Sequence, residues 1–203
     1  MAQNLEKVVS RRGSGQRRIV SLGVLLAVLS LSWLSQGAEP DLELRIKAAF
    51  LYKFLFFAEL PEKSFAADDK TIVICILGSE KFADLLQGVA GSRINDRRLE
   101  IRSLGENADG PSLRACQVLF IEARLRSQEA RVLQVLGDSP VLTVGESEGF
   151  LRRGGMVRFV TIKERLAFEI NRKTANRVGI RFRSKLLRLA VRVIEEVKRN
   201  GQD

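Results

Sequence analysis

The chain has 203 residues, of which 45% are hydrophobic and 29% charged. That balance fits one ordinary domain with an appendage, and excludes a collagen-like, a wholly disordered or a multi-span membrane chain. The formal net charge is +10 and there is no His, which removes imidazole catalysis and the commonest metal ligand.

The appendage is at the front. Arg11, Arg12, Arg17 and Arg18 precede an apolar run of 16 residues, Ile19 to Leu34, then Ser35-Gln36-Gly37-Ala38 and the acidic Glu39. A basic region, a short apolar region and small residues compose a secretory signal. The run is shorter than the roughly 20 residues of a spanning helix. Residues 1–38 are therefore expected to be a signal peptide, cleaved after Gly37 or Ala38, and residues 39–203 the exported domain. That domain carries 29 basic and 23 acidic side chains, so part of the excess charge belongs to the leader. Export argues against nucleic acid as a partner and leaves an anionic membrane face or an acidic protein.

Asp41 to Glu59 reads as a helix, with Ile46, Phe50, Phe54 and Phe57 on one stripe and Pro61 as its stop. Thr71 to Leu77 is β-branched and apolar throughout, the pattern of a strand buried on both faces. Ser79 is placed to cap a helix over Glu80 to Gln87. Leu99, Ile101 and Ser103 alternate with Glu100 and Arg102, which predicts a half-exposed strand. Asp109-Gly110-Pro111 marks a loop over Glu106 to Ser112.

Cys116 to Ile121 and Pro140 to Val144 read as buried strands, separated by a helix over Leu125 to Leu136. Met156 to Ile162 and Arg165 to Ile170 flank Lys163-Glu164, a hairpin spacing whose turn pair lacks the usual Gly or Asn. Asn171 caps a short helix, Arg172 to Arg177, and Ser184 a last one, Lys185 to Asn200, with Leu186, Leu189, Ala190, Val193, Ile194 and Val197 inward. The alternation of strands and helices predicts a single α/β domain. Its sheet is mixed and mostly parallel, flanked by helices, with a C-terminal antiparallel hairpin and helix.

Four features bear on function. Cys75 and Cys116 lie 41 residues apart in buried stretches, and two readings stand: small hydrophobic side chains, or a disulfide or redox pair allowed by an oxidising compartment. Gly78-Ser79 and Gly145-Glu146 end predicted parallel strands, where open sheets bind ligands, and Gly154-Gly155 and Asn171 join them as rim candidates. Each Gly has a plain turn role as alternative, and Asn171 a capping role. The first helix is apolar on nearly every side, so Phe50, Phe54 and Phe57 are either covered by the C-terminal helix or candidates for a partner or homodimer surface. Arg188 and Arg192 of the basic last helix are candidates for an acidic partner or phospholipid headgroups. No Ser-x-x-Lys dyad, phosphate loop or metal cluster is present in the sequence, so neither an enzyme nor a cofactor is expected.

In order along the chain, Lys47-Ala48-Ala49-Phe50-Leu51-Tyr52-Lys53-Phe54, Ile74-Cys75-Ile76-Leu77-Gly78, Cys116-Gln117-Val118-Leu119-Phe120-Ile121 and Val141-Leu142-Thr143-Val144-Gly145 resemble the YfiR family of periplasmic regulators. The resemblance continues through Gly149-Phe150, Gly154-Gly155-Met156-Val157, Phe168-Glu169-Ile170-Asn171 and Ser184-Lys185-Leu186-Leu187-Arg188-Leu189-Ala190. Where the family often has Trp-Pro after the first helix, this chain has Leu60-Pro61. The resemblance implies a periplasmic adaptor that restrains the outer part of an inner-membrane diguanylate cyclase or sensor kinase. It also implies a redox role for the two Cys. The alternative is a periplasmic module that binds a small solute for sensing or uptake.

Overall fold

A computed structural model describes residues 39–66 and 69–195; the expected signal peptide lies outside them. Of the described residues, the first turn of the first helix, residues 39–42, precedes the packed unit, which begins at Glu43. The elements are α1 (Glu39–Phe57), β1 (Ala58–Glu59), β2 (Thr71–Leu77), α2 (Glu80–Gln87), β3 (Arg93–Ile94), β4 (Arg97–Leu104), α3 (Gly110–Arg114), β5 (Val118–Ile121), α4 (Glu129–Leu136), β6 (Leu142–Gly145), β7 (Val157–Ile162), β8 (Arg165–Asn171), α5 (Arg172–Arg177), β9 (Arg181–Phe182), α6 (Ser184–Leu189) and β10 (Arg192–Ile194).

Eight strands form one sheet in the order β10-β8-β7-β6-β5-β2-β4-β3, and β1 pairs with β9 beside it. Only β7 with β8 and β3 with β4 are antiparallel in the large sheet, so the sheet is mixed and mostly parallel, as the sequence predicts. β2 is an interior strand, hydrogen-bonded to β4 and β5. Its seven residues divide by the period of two: Ile72, Ile74 and Ile76 enter one core, Val73, Cys75 and Leu77 the other. A strand covered on both sides needs apolar side chains at every position, which is why Thr71–Leu77 shows no alternation.

The first core lies under α1, α2, α5 and α6. Phe54 is fully buried and meets Phe168 edge-on at 5.2 Å and Phe159 at 5.9 Å. Burying one such phenyl contributes about 2 kcal/mol. The second core lies under α3, α4 and the segment after β6, and is built on Leu113, Val132, Leu136, Phe150 and Leu151.

Gly145 and Gly155 admit the Phe150 ring. A Cβ on Gly145 would lie 2.7 Å from the ring, and one on Gly155 2.2 Å from it. Gly155→Ala is expected to cost about 2 kcal/mol in urea unfolding, by overpacking. Gly105→Ala, with nothing within 4 Å of its Cβ, should be near neutral.

Five expectations need correction. The last helix does not run to Asn200. It stops at Leu189, Ala190 turns extended (φ −69°, ψ 135°), and Arg192–Ile194 pair in parallel with Glu169–Asn171. The β-branched Val191, Val193 and Ile194 suit a strand, and the open edge of β8 supplies the pairing; residues 196–200 lie outside the described part. Ser184 is the first residue of that helix, and Arg183 stands at its N-cap. The helix expected from Leu125 opens only at Glu129, after a short 3-10 turn at Ala123–Leu125. The loop expected over Glu106 to Ser112 contains the start of α3, which Asp109 caps through Ser112. Cys116 precedes β5 rather than lying in it.

The hairpin turn does fall at Lys163-Glu164. Both residues take left-handed backbone, φ 47° and 61°, the geometry of a tight two-residue hairpin.

Candidate functional site

β2, β5 and β6 run parallel, with Leu77 opposite Ile121 and Ile121 opposite Gly145. Their carboxyl ends therefore sit side by side and deliver Gly78, Glu122 and Glu146 to one edge of the sheet. Open α/β sheets bind ligands at such an edge. Gly78 is needed there: its φ is +113°, and a Cβ would come within 2.9 Å of both the Glu122 carboxylate and Leu125. Ser79 accepts the Phe82 amide at 3.2 Å, so its hydroxyl caps α2.

Arg124 closes this corner. Its Nε donates to Glu122 at 2.6 Å, and its remaining nitrogens donate to Glu106 and to the Gly78 carbonyl. The bonds from Glu106 and Glu122 hold the guanidinium charged above its ordinary range. A hollow of about 530 Å³ remains between Gly78, Ser103, Gly105 and Arg124.

A second hollow, of about 380 Å³, lies beside Lys47, Glu146, Arg158 and Thr161. The Lys47 ammonium is mostly buried, and pairs with Glu43 at 2.6 Å and with Glu146. Burial works to lower its pKa, yet the bonds to Glu146 and Glu43 outweigh it and hold the pKa above the lysine value. Glu146 thus anchors α1 to the end of β6.

The other predicted rim residues stand elsewhere. Gly155 serves the Phe150 ring and Gly154 a turn at φ +101°. Asn171 accepts the Thr174 amide at 3.0 Å and donates to the Leu151 carbonyl at 3.0 Å; it caps α5 and ties it to the second core. Of the partner candidates, Phe54 is interior, Phe50 and Phe57 are half-buried, and Arg188 and Arg192 are exposed. Full burial withdraws Phe54 from any surface.

Arg192 does not point freely to solvent. It donates twice to Glu169, at 2.8 and 2.9 Å, while Arg158 donates to the same carboxylate at 2.8 Å. Glu169 stands opposite Arg158 on β7 and Arg192 on β10, so one buried carboxylate ties three strands. The Arg192 hydrogen bonds, with the charges of Arg158 and Arg192, hold its pKa below the usual value against the opposing effect of burial.

Cys75 and Cys116 form a disulfide with Cα atoms 5.8 Å apart, inside the range a bridge allows. It pins the start of β5 to the middle of β2 within the second core, with both residues 1% exposed or less. No group of three or more His, Cys, Asp and Glu able to hold a metal occurs among the described residues. No helix among them is long and apolar enough to cross a membrane.

One polar cluster escapes sequence reasoning. Glu129 is fully buried. It accepts Ser147 Oγ at 2.5 Å and the guanidinium of Arg153, which also reaches the Glu148 carbonyl at 3.1 Å. These bonds fasten the loop between β6 and β7 onto α4. Glu129 stands in the first turn of α4 among residues of ordinary helical pattern, and nothing at that position signals a buried charge.

The chain matches no curated protein significantly. Among solved structures it is similar to a conserved domain protein from Vibrio cholerae O1 biovar eltor. The identity is 12% and the TM-score 0.51, covering 74% of this chain and 60% of that one. It is also similar to the ABC domain in complex with L-Trp from Streptococcus pneumonia, at 13% identity and TM-score 0.45, covering 61% and 55%. The chain thus spans less than two thirds of each, and the likeness to the first concerns fold alone. The sequence family described as YfiR/HmsC-like matches residues 44–191. That stretch contains the disulfide, the hollow beside Gly78, and most of the second hollow and of the Glu169 cluster, and the chain belongs to the YfiR/HmsC-like family.

Proposed function

We propose that the chain is a periplasmic signalling adaptor. It binds and restrains the periplasmic part of an inner-membrane signalling protein, a diguanylate cyclase or a sensor kinase. The family match over nearly all of the packed unit carries this reading. The buried disulfide supports an oxidising compartment.

The state of the carboxyl-end edge favours an adaptor over a solute-binding module. A ligand site presents a few polar groups converging on open space. Here Lys47 is matched by Glu43 and Glu146, Arg124 by Glu106 and Glu122, and Arg158 by Glu169. A solute would first have to break those pairs.

The adaptor acts by holding its partner in one of two states, so it must bind them unequally. A tenfold preference is worth about 1.4 kcal/mol. Deleting the gene is expected to raise cellular cyclic-di-GMP where the partner is a cyclase, and to raise kinase output where it is a kinase. An unchanged level of both would overturn the adaptor. A small molecule that raises the thermal midpoint of the purified protein as strongly as a partner domain does would favour the solute module.

A further inference from the structure

The helix layer over the first core has a charge pattern that the folded domain uses only in part. Residues 44–58 and 172–194 hold eleven Lys and Arg and no Asp or Glu. Of their helices, α1 and α6 are neighbours: β1, which follows α1, pairs with β9 just before α6, and Lys185 Nζ lies 5.7 Å over the Phe57 ring. Five of the eleven cations find acidic partners from outside these stretches or from Glu43. Lys53, Lys185 and Arg188 make no ion pair among the described residues and are exposed.

Apolar side chains stand among them. α1 turns Leu51, Phe54 and Leu55 to the core, which leaves Lys53 and Phe56 on its outer side; Phe56 is 40% exposed. α6 turns Leu186 inward, which leaves Lys185, Arg188 and Leu189 outside; Leu189 is 60% exposed. Cations with long stems around isolated large apolar groups are the composition of a surface that rests in a lipid headgroup layer. The apolar groups enter the acyl boundary, and the cations stay with the phosphates. With Glu43, Glu59 and Glu195 at the edges of these stretches already paired, the unpaired cations between them favour an anionic membrane over a neutral one by charge.

We propose that the outer side of α1 and α6 docks on an anionic phospholipid surface, with Lys53, Lys185 and Arg188 on the headgroups and Phe56 and Leu189 below them. This holds the chain in the plane of a membrane-bound partner and raises its local concentration there. Which membrane it meets rests on the periplasmic reading; the lipid contact does not.

The test is sedimentation of the protein, recovered from the periplasm of an expression host, with two kinds of vesicle. One is pure phosphatidylcholine and the other an equal mixture with phosphatidylglycerol. Binding to the mixed vesicles alone is expected, with release in high salt. Each cation near an anionic surface is worth about fivefold, so Lys53→Gln/Lys185→Gln/Arg188→Gln should weaken binding roughly a hundredfold. Arg93→Gln/Arg126→Gln/Arg131→Gln, the same charge removed from other exposed positions, should leave most of it. Both triples should keep the wild-type urea midpoint, so that lost binding is not lost folding. No binding to the mixed vesicles, equal binding to both kinds, or equal loss in the two triples would overturn the proposal. So would the first triple releasing a purified partner domain while vesicles go unbound, because the surface would then belong to a protein. None of these results touches the cyclic-di-GMP test, so the two ideas fail separately.

Discussion

Cys75→Ala/Cys116→Ala is expected to fold and to be less stable than wild type by about 4 kcal/mol, the chain-entropy value for a closed loop of 41 residues. In urea this moves the midpoint down by about 2 M, at the slope usual for a domain of this size. The bridge links two stretches that meet only through tertiary pairing: Cys75 in interior β2, and Cys116 just before its neighbour β5. Both residues lie in the second core with Leu113, Leu119 and Phe150, so reductant reaches the bond only when that core opens. Native protein should therefore keep its disulfide in dithiothreitol for far longer than protein held near its urea midpoint. Equal midpoints for the variant and wild type would remove the bridge as a source of stability. Equally fast reduction in both conditions would make it an exposed switch instead.

Glu169→Ala should cost about 2–3 kcal/mol, since it strands Arg158 and Arg192 without their shared partner. That lies at or below the low end for a broken buried pair, because Arg192 is half exposed. Glu169→Gln should cost less. The loss concentrates on β10, so amide exchange at Val191 and Ile194 should speed up more than exchange in β2.

The pH dependence follows from the direction of the shift. Glu169 has its pKa depressed on folding, chiefly by the Arg192 hydrogen bonds, from an ordinary 4.5. Its contribution is therefore complete above the unfolded value and disappears as pH falls through the folded one. The gap in urea midpoint between wild type and Glu169→Gln should hold constant near neutrality and close as the pH drops below roughly 5. A gap that widens in acid would reverse the assignment.

Local pattern was legible wherever one physical rule acted alone. Thr71–Leu77 follows from β-branched continuity and Glu80–Gln87 from the Ser79 cap, and both match the structure to the residue. The Asn171 cap was equally plain. The C-terminal stretch misled because Val193 and Ile194 satisfy a helical period and a strand equally well. The choice was made by the free edge of β8 and by Glu169, far away in sequence.

At the candidate site, Gly78 and Gly145 mark the carboxyl ends of parallel strands that lie along one edge of the sheet. Sequence could not reveal that Lys47, more than thirty residues upstream of Gly78, would arrive to neutralise Glu146. It also could not show that Gly155 exists for a phenyl ring. The Glu129 cluster was illegible for a related reason. A buried carboxylate in the first turn of a helix reads the same as a solvated one, and only the packing of the loop after β6 distinguishes them.

The most direct measurement is the output of a candidate partner, a membrane diguanylate cyclase or sensor kinase, reconstituted in lipid nanodiscs with the purified protein added. Output that falls in a saturable way as protein is added, and recovers when it is removed, is the result predicted. Output that stays constant while the protein is shown to occupy the partner, or failure to bind it at any concentration tested, would contradict the adaptor account.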